Sequence, residues 1–128
     1  MEKLRKSERL CSRKAIDRLF SDGNSLFHYP FRLIWMESDT PGFPPVRFAV
    51  SVPRKRIRKA VTRNRIKRMI RESYRLNKEI VYRGRETGNK IIFMMVIYVS
   101  SDVCEYDTIN LKFQELLQKF KGEYEGTK

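Results

Sequence analysis

Residues beyond Pro53 predict a helix with two opposed faces, and this helix most constrains the fold. At about 100° per residue, four of its cations and one Asn fall within one arc of about 100°, and an apolar arc lies opposite. The helix ends near Asn77, and the apolar side has to be buried while the cations remain at the surface. The cationic arc contains Asn64, Lys67, Arg68, Arg71 and Arg75, and the apolar arc contains Ile66, Met69, Ile70 and Tyr74.

Positive charge is concentrated in the same region. Residues 54–75 carry eleven basic side chains and one acidic side chain, a net charge of +10 in a chain whose total is +13. A diffuse excess would indicate only a device for solubility, whereas a concentrated excess is typical of a surface that binds phosphate groups. The partner indicated by the charge is therefore a polyanion.

The N-terminal half of the chain predicts one helix and two strands. Residues 12–20 are typical of a short helix, with Ser12 as its N-cap and Gly23 as its stop. Residues 27–36 and 46–52 alternate with period 2, as strands do. The first strand is predicted to place Phe31, Leu33 and Trp35 on one face and Arg32, Ile34 and Met36 on the other.

After the basic helix, the pattern predicts one more strand and one more helix. Residues 90–99 are almost all apolar, as in a strand buried on both faces. Residues 106–120 are typical of an amphipathic helix. The order αββαβα predicts one α+β domain over residues 1–128, its sheet packed by helices, with frayed ends at residues 1–8 and 122–128.

Length and composition exclude several classes of protein. The chain has 128 residues, enough for one domain, and its 41% hydrophobic residues are too many for a disordered tail. The longest apolar run is about half the length of a membrane-spanning helix, and the charged N-terminus leads into no signal-type segment. We therefore expect a cytoplasmic protein with no membrane partner.

Few residues offer metal or nucleophilic chemistry. The two cysteines, Cys11 and Cys104, and the single histidine, His28, cannot supply an ordinary four-ligand zinc site. The acidic cluster at residues 102–107 precedes the last helix, whose N-terminus explains it more simply than a metal does. We expect no cofactor and no metal bound by the protein alone, and no catalytic residue in it.

A solvated basic face without a specific partner is the simplest alternative. However, Arg outnumbers Lys on this face and a second cluster at residues 54–59 precedes it, and Arg binds phosphate in a bidentate way and stacks on bases. A helix that reads DNA needs short polar side chains aimed at base edges, usually within a helix-turn-helix pair. A cationic helix flanked by strands favours structured RNA, so we expect no DNA partner.

Residues 60–72 read Ala-Val-Thr-Arg-Asn-Arg-Ile-Lys-Arg-Met-Ile-Arg-Glu. This stretch closely resembles the signature of the bacterial ribonuclease P protein family, Ala-Val-x-Arg-Asn-Arg-x-Lys-Arg-x-x-Arg-Glu/Gln. The resemblance extends over essentially the whole chain, through the order of the elements and through Arg9, Leu10, Phe20, Gly23 and Phe31. It implies a ribosomal-protein-S5-domain-2-like fold with a left-handed βαβ crossover. It also implies the protein subunit of a ribonucleoprotein, an endonuclease that removes the 5′ leader from precursor tRNA.

The resemblance implies that the RNA subunit and its Mg²⁺ ions carry the chemistry. The implied partners are ribonuclease P RNA and precursor tRNA. Together with the charge pattern, it makes the candidate RNA-binding residues Arg54, Lys55, Arg56, Arg58, Lys59, Arg63, Asn64, Arg65, Lys67, Arg68, Arg71 and Arg75. It also implies a cleft for the leader between the first helix and the sheet, lined by Ser12, Arg13, Lys14, Ile16, Phe20, Phe31 and Ile34.

The chain departs from the family pattern in places, and other functions stay open. Ile16 stands where relatives often carry Phe, and Ile34 stands where an aromatic residue can occur, which weakens base stacking at both positions. Phe20 and Phe31 fit core packing about as well as stacking. The alternatives are a non-catalytic RNA-binding protein of ribosomal type, a DNA-binding regulator and, least favoured, a stand-alone nuclease.

Overall fold

The computed structural model describes residues 8–10, 12–42, 44–83 and 90–126. The strands form one sheet in the order β1-β2-β4-β3, in which β3 and β4 are parallel and the other pairs are antiparallel. The predicted α+β class is confirmed, while residues 1–7, Cys11 and the last two residues lie outside the described part. In chain order the elements are α1 (Arg13–Asp22), β1 (Asn24–His28), β2 (Phe31–Pro41), β3 (Val46–Ser51), α2 (Ala60–Asn77), α3 (Glu79–Tyr82), β4 (Lys90–Tyr98) and α4 (Tyr106–Gly126).

The single strand predicted over residues 27–36 is wrong, because the chain forms a hairpin there. β1 and β2 pair with Phe27 opposite Arg32, and the chain reverses at Tyr29 and Pro30. Pro has no N–H to donate to a strand ladder, so it favours the turn over the middle of a strand. The hairpin adds an edge strand that the periodicity alone did not predict.

Alternate residues of the sheet face two separate hydrophobic clusters. On β2, Leu33 and Trp35 belong to a cluster of 22 buried residues that includes the inner faces of α2 and α4. Among the described residues, Ile34 and Met36 belong to a cluster of five buried residues between the sheet and α1, to which α1 contributes Leu19. Since successive side chains of a strand point to opposite faces, α1 lies on one face of the sheet and α2 and α4 lie on the other. The alternation predicted for this strand is confirmed.

α1 is a short helix, and contacts at both of its ends hold it in place. The Ser12 hydroxyl accepts a hydrogen bond from the Ala15 N–H at 3.2 Å, and the Gly23 N–H donates to the Leu19 carbonyl at 2.9 Å. A Cβ on Gly23 would lie 2.7 Å from Cγ2 of Ile34 and closer still to the Leu19 carbonyl oxygen. The predicted cap and stop are confirmed, and the close approach at Gly23 holds the end of α1 against β2.

α4 extends beyond its predicted end and includes most of the predicted frayed tail. The Tyr124 ring is buried against Trp35, with 5.4 Å between the ring centroids, and its hydroxyl donates to Oε1 of Glu37 at 2.7 Å. Tyr124 thus continues the apolar stripe of the helix by one more turn, into the segment for which the sequence predicts fraying.

The N-terminal segment is tied to the junction of α2 and α3. The buried Glu8 carboxylate accepts hydrogen bonds from Nζ of Lys78 and from the Tyr82 hydroxyl, each at 2.7 Å. Burial, and then the hydrogen bond to Glu8, raise the pKa of Tyr82 well above its ordinary value. Glu8, the last residue of the N-terminal segment for which the sequence predicts fraying, therefore has partners that lie about 70 residues along the chain.

Candidate nucleic-acid interface

α2 is held to the core along one face and is exposed along the other. Ile66, Ile70 and Tyr74 are fully buried, and the Tyr74 ring stacks on Phe48 with centroids 4.0 Å apart. Met69, which was predicted to be buried with them, is only half-buried. The helix is therefore fixed in orientation before any partner binds. Its outward face exposes Asn64, Arg65, Arg68 and Arg71, while Lys67 is half-buried.

Glu72 forms an ion pair with Arg75, one of the predicted RNA-binding residues. Its carboxylate accepts two hydrogen bonds from the Arg75 guanidinium, at 2.5 and 3.1 Å, and this interaction holds the pKa of Glu72 below its ordinary value. Arg65, Arg68 and Arg71 have no acidic partner among the described residues. Of the described residues, these three are therefore the exposed cations of α2 without an acidic partner, while Lys67 is half-buried and Arg75 is paired with Glu72.

Arg63 has a structural role in the loop before α2. Its Nη1 donates to the carbonyls of Ile57 and Arg58, at 3.1 and 2.7 Å. Ile57 is buried in the larger cluster, and its N–H donates to the Pro53 carbonyl. The loop is thereby closed into a turn whose cations point outward. The exposed cations of the loop and of α2 form what we call the basic surface: Arg54, Lys55, Arg56, Arg58, Lys59, Arg65, Arg68 and Arg71.

We expect Arg63→Lys to lower the free energy of unfolding by about 1–2 kcal/mol, because the lysine side chain is one bond shorter and its ammonium nitrogen does not reach the position from which Nη1 donates both hydrogen bonds. Urea unfolding of the free protein measures the effect. Arg65→Lys is the matched control, since Arg65 is exposed and its change is expected to stay within about 0.5 kcal/mol. Equal losses for the two variants would contradict a structural role for Arg63.

Six of the predicted cleft residues lie on α1 or on the sheet face beneath it. Ile34 is buried under the helix, Ile16 packs beside it, and Phe20 is 57% exposed. Ser12 is occupied in capping the helix, whereas the two cations that follow it are exposed. An exposed aromatic ring with cations on the same helix suits a single strand of nucleic acid. We call this region the α1 cleft: Arg13, Lys14, Ile16, Phe20 and Ile34.

Phe31 does not belong to the α1 cleft. It is fully buried on the opposite face of the sheet, where its ring meets Tyr98 and Phe113 edge to face, with centroids 6.2 and 5.7 Å apart. Its place in the cleft is corrected here, because Phe31 and Ile34 are three positions apart on one strand and therefore point to opposite faces.

The sheet face continues past α1 into a region that the sequence patterns missed. Phe27, Arg32, Ile97 and Ser51 form one row across the four strands, next to the row that contains Ile34. A surface pocket of about 370 Å³ opens at this end of the sheet. The Tyr-Pro dipeptide was the available signal, because a turn at that point places Phe27 opposite Arg32.

Two of the residues considered for metal or nucleophilic chemistry, His28 and Cys104, take part in structural contacts. His28 pairs with Glu115 at 2.9 Å, and this hydrogen bond lowers the pKa of Glu115. The Cys104 N–H donates to the Tyr98 hydroxyl, and burial raises the pKa of Tyr98 to about 12. Within the described ranges, no group of three or more His, Cys, Asp and Glu side chains is placed to hold a metal ion. None of the described helices is long and apolar enough to span a membrane.

Comparisons with known proteins agree with this arrangement. The model of the Ribonuclease P family matches residues 4–121. The ribonuclease P protein component of Porphyromonas gingivalis strain W83 is 36% identical over 122 residues, which cover 93% of this chain and 87% of that protein.

Solved structures share the fold. The RNase P protein from Thermotoga maritima matches with a TM-score of 0.68 and 27% identity, over 88% of this chain and 96% of that one. The RNase P protein of Staphylococcus aureus matches with a TM-score of 0.71 over 91% and 97% of the two chains. Its identity of 22% supports the fold alone.

Proposed function

Because the chain belongs to the ribonuclease P protein family, we propose that its basic surface binds ribonuclease P RNA and that its α1 cleft receives the leader of precursor tRNA. The chain is a protein subunit of an endoribonuclease that matures tRNA 5′ ends, and the RNA subunit carries the catalysis. The Mg²⁺ ions that the holoenzyme requires are held by the RNA. The holoenzyme matures tRNA in the cytoplasm.

The exposed cations of α2 are the observation that carries the proposal. Arg65, Arg68 and Arg71 repeat at intervals of three residues along a helix whose opposite face is locked into the core. Like charges at this spacing oppose one another, and an RNA backbone relieves the repulsion as its phosphates replace condensed counterions. Since the side chains are guanidinium groups, each can bind a phosphate through two parallel hydrogen bonds.

The two functions of the protein lie on different parts of its surface. The basic surface follows β3 and occupies the outer side of α2, whereas α1 covers the opposite face of the sheet. The catalytic RNA and the leader are both polyanions that repel each other, and a protein with net charge +13 between them offsets this repulsion. Mg²⁺ also screens phosphate charge, so the protein contributes most when Mg²⁺ is scarce.

The first test is cleavage of a precursor tRNA by a bacterial ribonuclease P RNA at low Mg²⁺, with and without this protein. We expect the protein to restore cleavage at the mature 5′ end, and we expect the reaction to need the RNA. A reaction with protein alone is the control for a stand-alone nuclease. Binding of the RNA without any gain in cleavage would contradict the proposal and favour an RNA-binding protein of ribosomal type.

A further inference from the structure

The pocket at the end of the sheet is built from three separate parts of the chain. The β1–β2 hairpin supplies most of its wall, the loop after β3 supplies Arg56, and the end of β4 supplies Val99. A volume of about 370 Å³ falls within the range of small-molecule sites. The lining residues are Ser25, Phe27, Tyr29, Arg32, Arg56 and Val99.

The hairpin side of the pocket is held in place by hydrogen bonds. Nε of Arg32 donates to the Ser25 hydroxyl at 3.1 Å, and the hydroxyl of Tyr29 donates to that of Ser100 at 3.1 Å. Nζ of Lys119, from α4, donates to the Phe27 carbonyl at 2.9 Å. These hydrogen bonds restrain Arg32, Tyr29 and the backbone at Phe27, and such restraint reduces the entropic cost of binding.

Two large aromatic side chains of the pocket remain exposed. Phe27 and Tyr29 are each 55% exposed, whereas many other aromatic rings of the protein are buried in its core. Arg32 has both terminal nitrogens free of hydrogen bonds to the described residues, and Arg56 is exposed on the facing loop. Exposed rings beside free guanidinium groups match a base beside a phosphate, because bases stack on aromatic rings and guanidinium binds phosphate.

The pocket continues the α1 cleft along the same sheet face. Arg32 and Ile34 are two residues apart on β2, which separates them by about 7 Å along the strand, and both point to the α1 side of the sheet. A single strand that lies in the α1 cleft therefore reaches the pocket without crossing an edge of the sheet.

We propose that this pocket holds one nucleotide of the single-stranded leader, beyond the nucleotides that the α1 cleft covers. Phe27 and Tyr29 supply the stacking surface for its base and Arg32 binds its phosphate, while Arg56 of the basic surface lines the facing side of the pocket, where the two surfaces meet. The proposal rests on the function proposed above and adds a separate subsite to it. Leaders long enough to reach the pocket then bind more tightly than leaders that end before it.

The test uses the reconstituted holoenzyme and a series of precursor tRNAs whose leaders lengthen by one nucleotide at a time. The measured quantity is the ratio of affinities between long-leader and short-leader precursors. We expect Phe27→Ala to lower this ratio about tenfold, and Phe27→Tyr to restore it, because stacking needs only an aromatic face. Leu111→Ala is the matched control, since Leu111 is a similarly exposed apolar residue on α4.

Arg32 gives a second readout that is independent of stacking. Arg32→Gln is expected to reduce the salt dependence of long-leader binding, by about 0.7 in the slope of log affinity against log salt concentration. Lys112→Gln, on α4, is the charge-matched control. Both pocket residues are exposed, so neither variant removes core packing.

The outcomes separate the two proposals. If the Phe27→Ala ratio equals that of the Leu111→Ala control while the protein still promotes leader cleavage, the subsite is wrong and the proposed function stands. If the unsubstituted protein neither promotes cleavage nor responds to leader length, the proposed function fails and the subsite fails with it.

Discussion

Phe31→Ala is expected to lower the free energy of unfolding by about 4 kcal/mol. The ring is fully buried between Tyr98 and Phe113, and an alanine would leave a cavity that the sheet and α4 cannot close without moving. A small domain has a total stability of about 5–15 kcal/mol, so the variant would be close to unfolding at physiological temperature. Urea or thermal unfolding of the free protein measures the loss.

Two further variants distinguish core packing from leader binding. Phe20→Ala removes the 57%-exposed ring of α1, and we expect it to change stability by no more than about 0.5 kcal/mol. Phe31→Leu keeps most of the buried volume, costs about 1 kcal/mol, and remains folded for measurements with RNA. A Phe31→Leu protein that is fully stable yet binds the leader poorly would indicate that Phe31 contributes to leader binding, contrary to its place in the core.

The largest expected effect on RNA binding comes from removing two cations of α2. Arg68→Gln/Arg71→Gln deletes two exposed guanidinium groups without touching the buried face of the helix. Each lost phosphate contact reduces the slope of log affinity against log salt by about 0.9, so the expected change in slope is about two. At about 0.1 M salt this corresponds to roughly 50-fold weaker binding of ribonuclease P RNA.

The measurement is a salt titration of binding between the protein and ribonuclease P RNA. Lys112→Gln/Lys121→Gln, on α4, removes the same net charge from a helix outside the basic surface, and we expect its slope to match that of the unsubstituted protein. Equal changes in the two double variants would show that net charge, and not the position of the cations on α2, determines the binding.

The periodicity of α2 was enough to predict how the helix lies in the protein. Its apolar residues recur every three to four positions, and the structure buries Ile66, Ile70 and Tyr74 while exposing the cations opposite. The same pattern did not reveal which cations are already used. The hydrogen bonds of Arg63 to the preceding loop and of Arg75 to Glu72 depend on geometry that side-chain spacing does not specify.

Phe31 illustrates the limit of a role transferred from a family. The alternation of β2 already placed Phe31 with Leu33 and Trp35, away from Ile34, and the structure agrees with the alternation. The cleft assignment followed the resemblance instead and put Phe31 beside Ile34. The alternation of the strand outweighs the resemblance, because side chains an odd number of residues apart on a strand point to opposite faces of the sheet.

The contacts of Glu8 and Tyr124 could not be predicted from the sequence for a different reason. Each joins a terminal segment to residues far along the chain, Lys78 and Tyr82 in one case and Glu37 in the other. Local patterns describe neighbours within one or two turns, so a terminus without a strong pattern looks frayed. Only the folded chain shows that these ends are anchored.

The unequal size of the two hydrophobic clusters has a consequence for how the molecule opens. Among the described residues, α1 belongs to a cluster of five buried residues, one of them its own Leu19, whereas α2 and α4 share a cluster of 22. Local opening costs less free energy where fewer apolar contacts have to be broken. Amide hydrogens of α1 should therefore exchange with solvent through partial opening, while those of α2 exchange only when the whole domain unfolds. The side of the protein that we propose for the leader can thus adapt to strands of different sequence without loosening the side that carries the exposed cations.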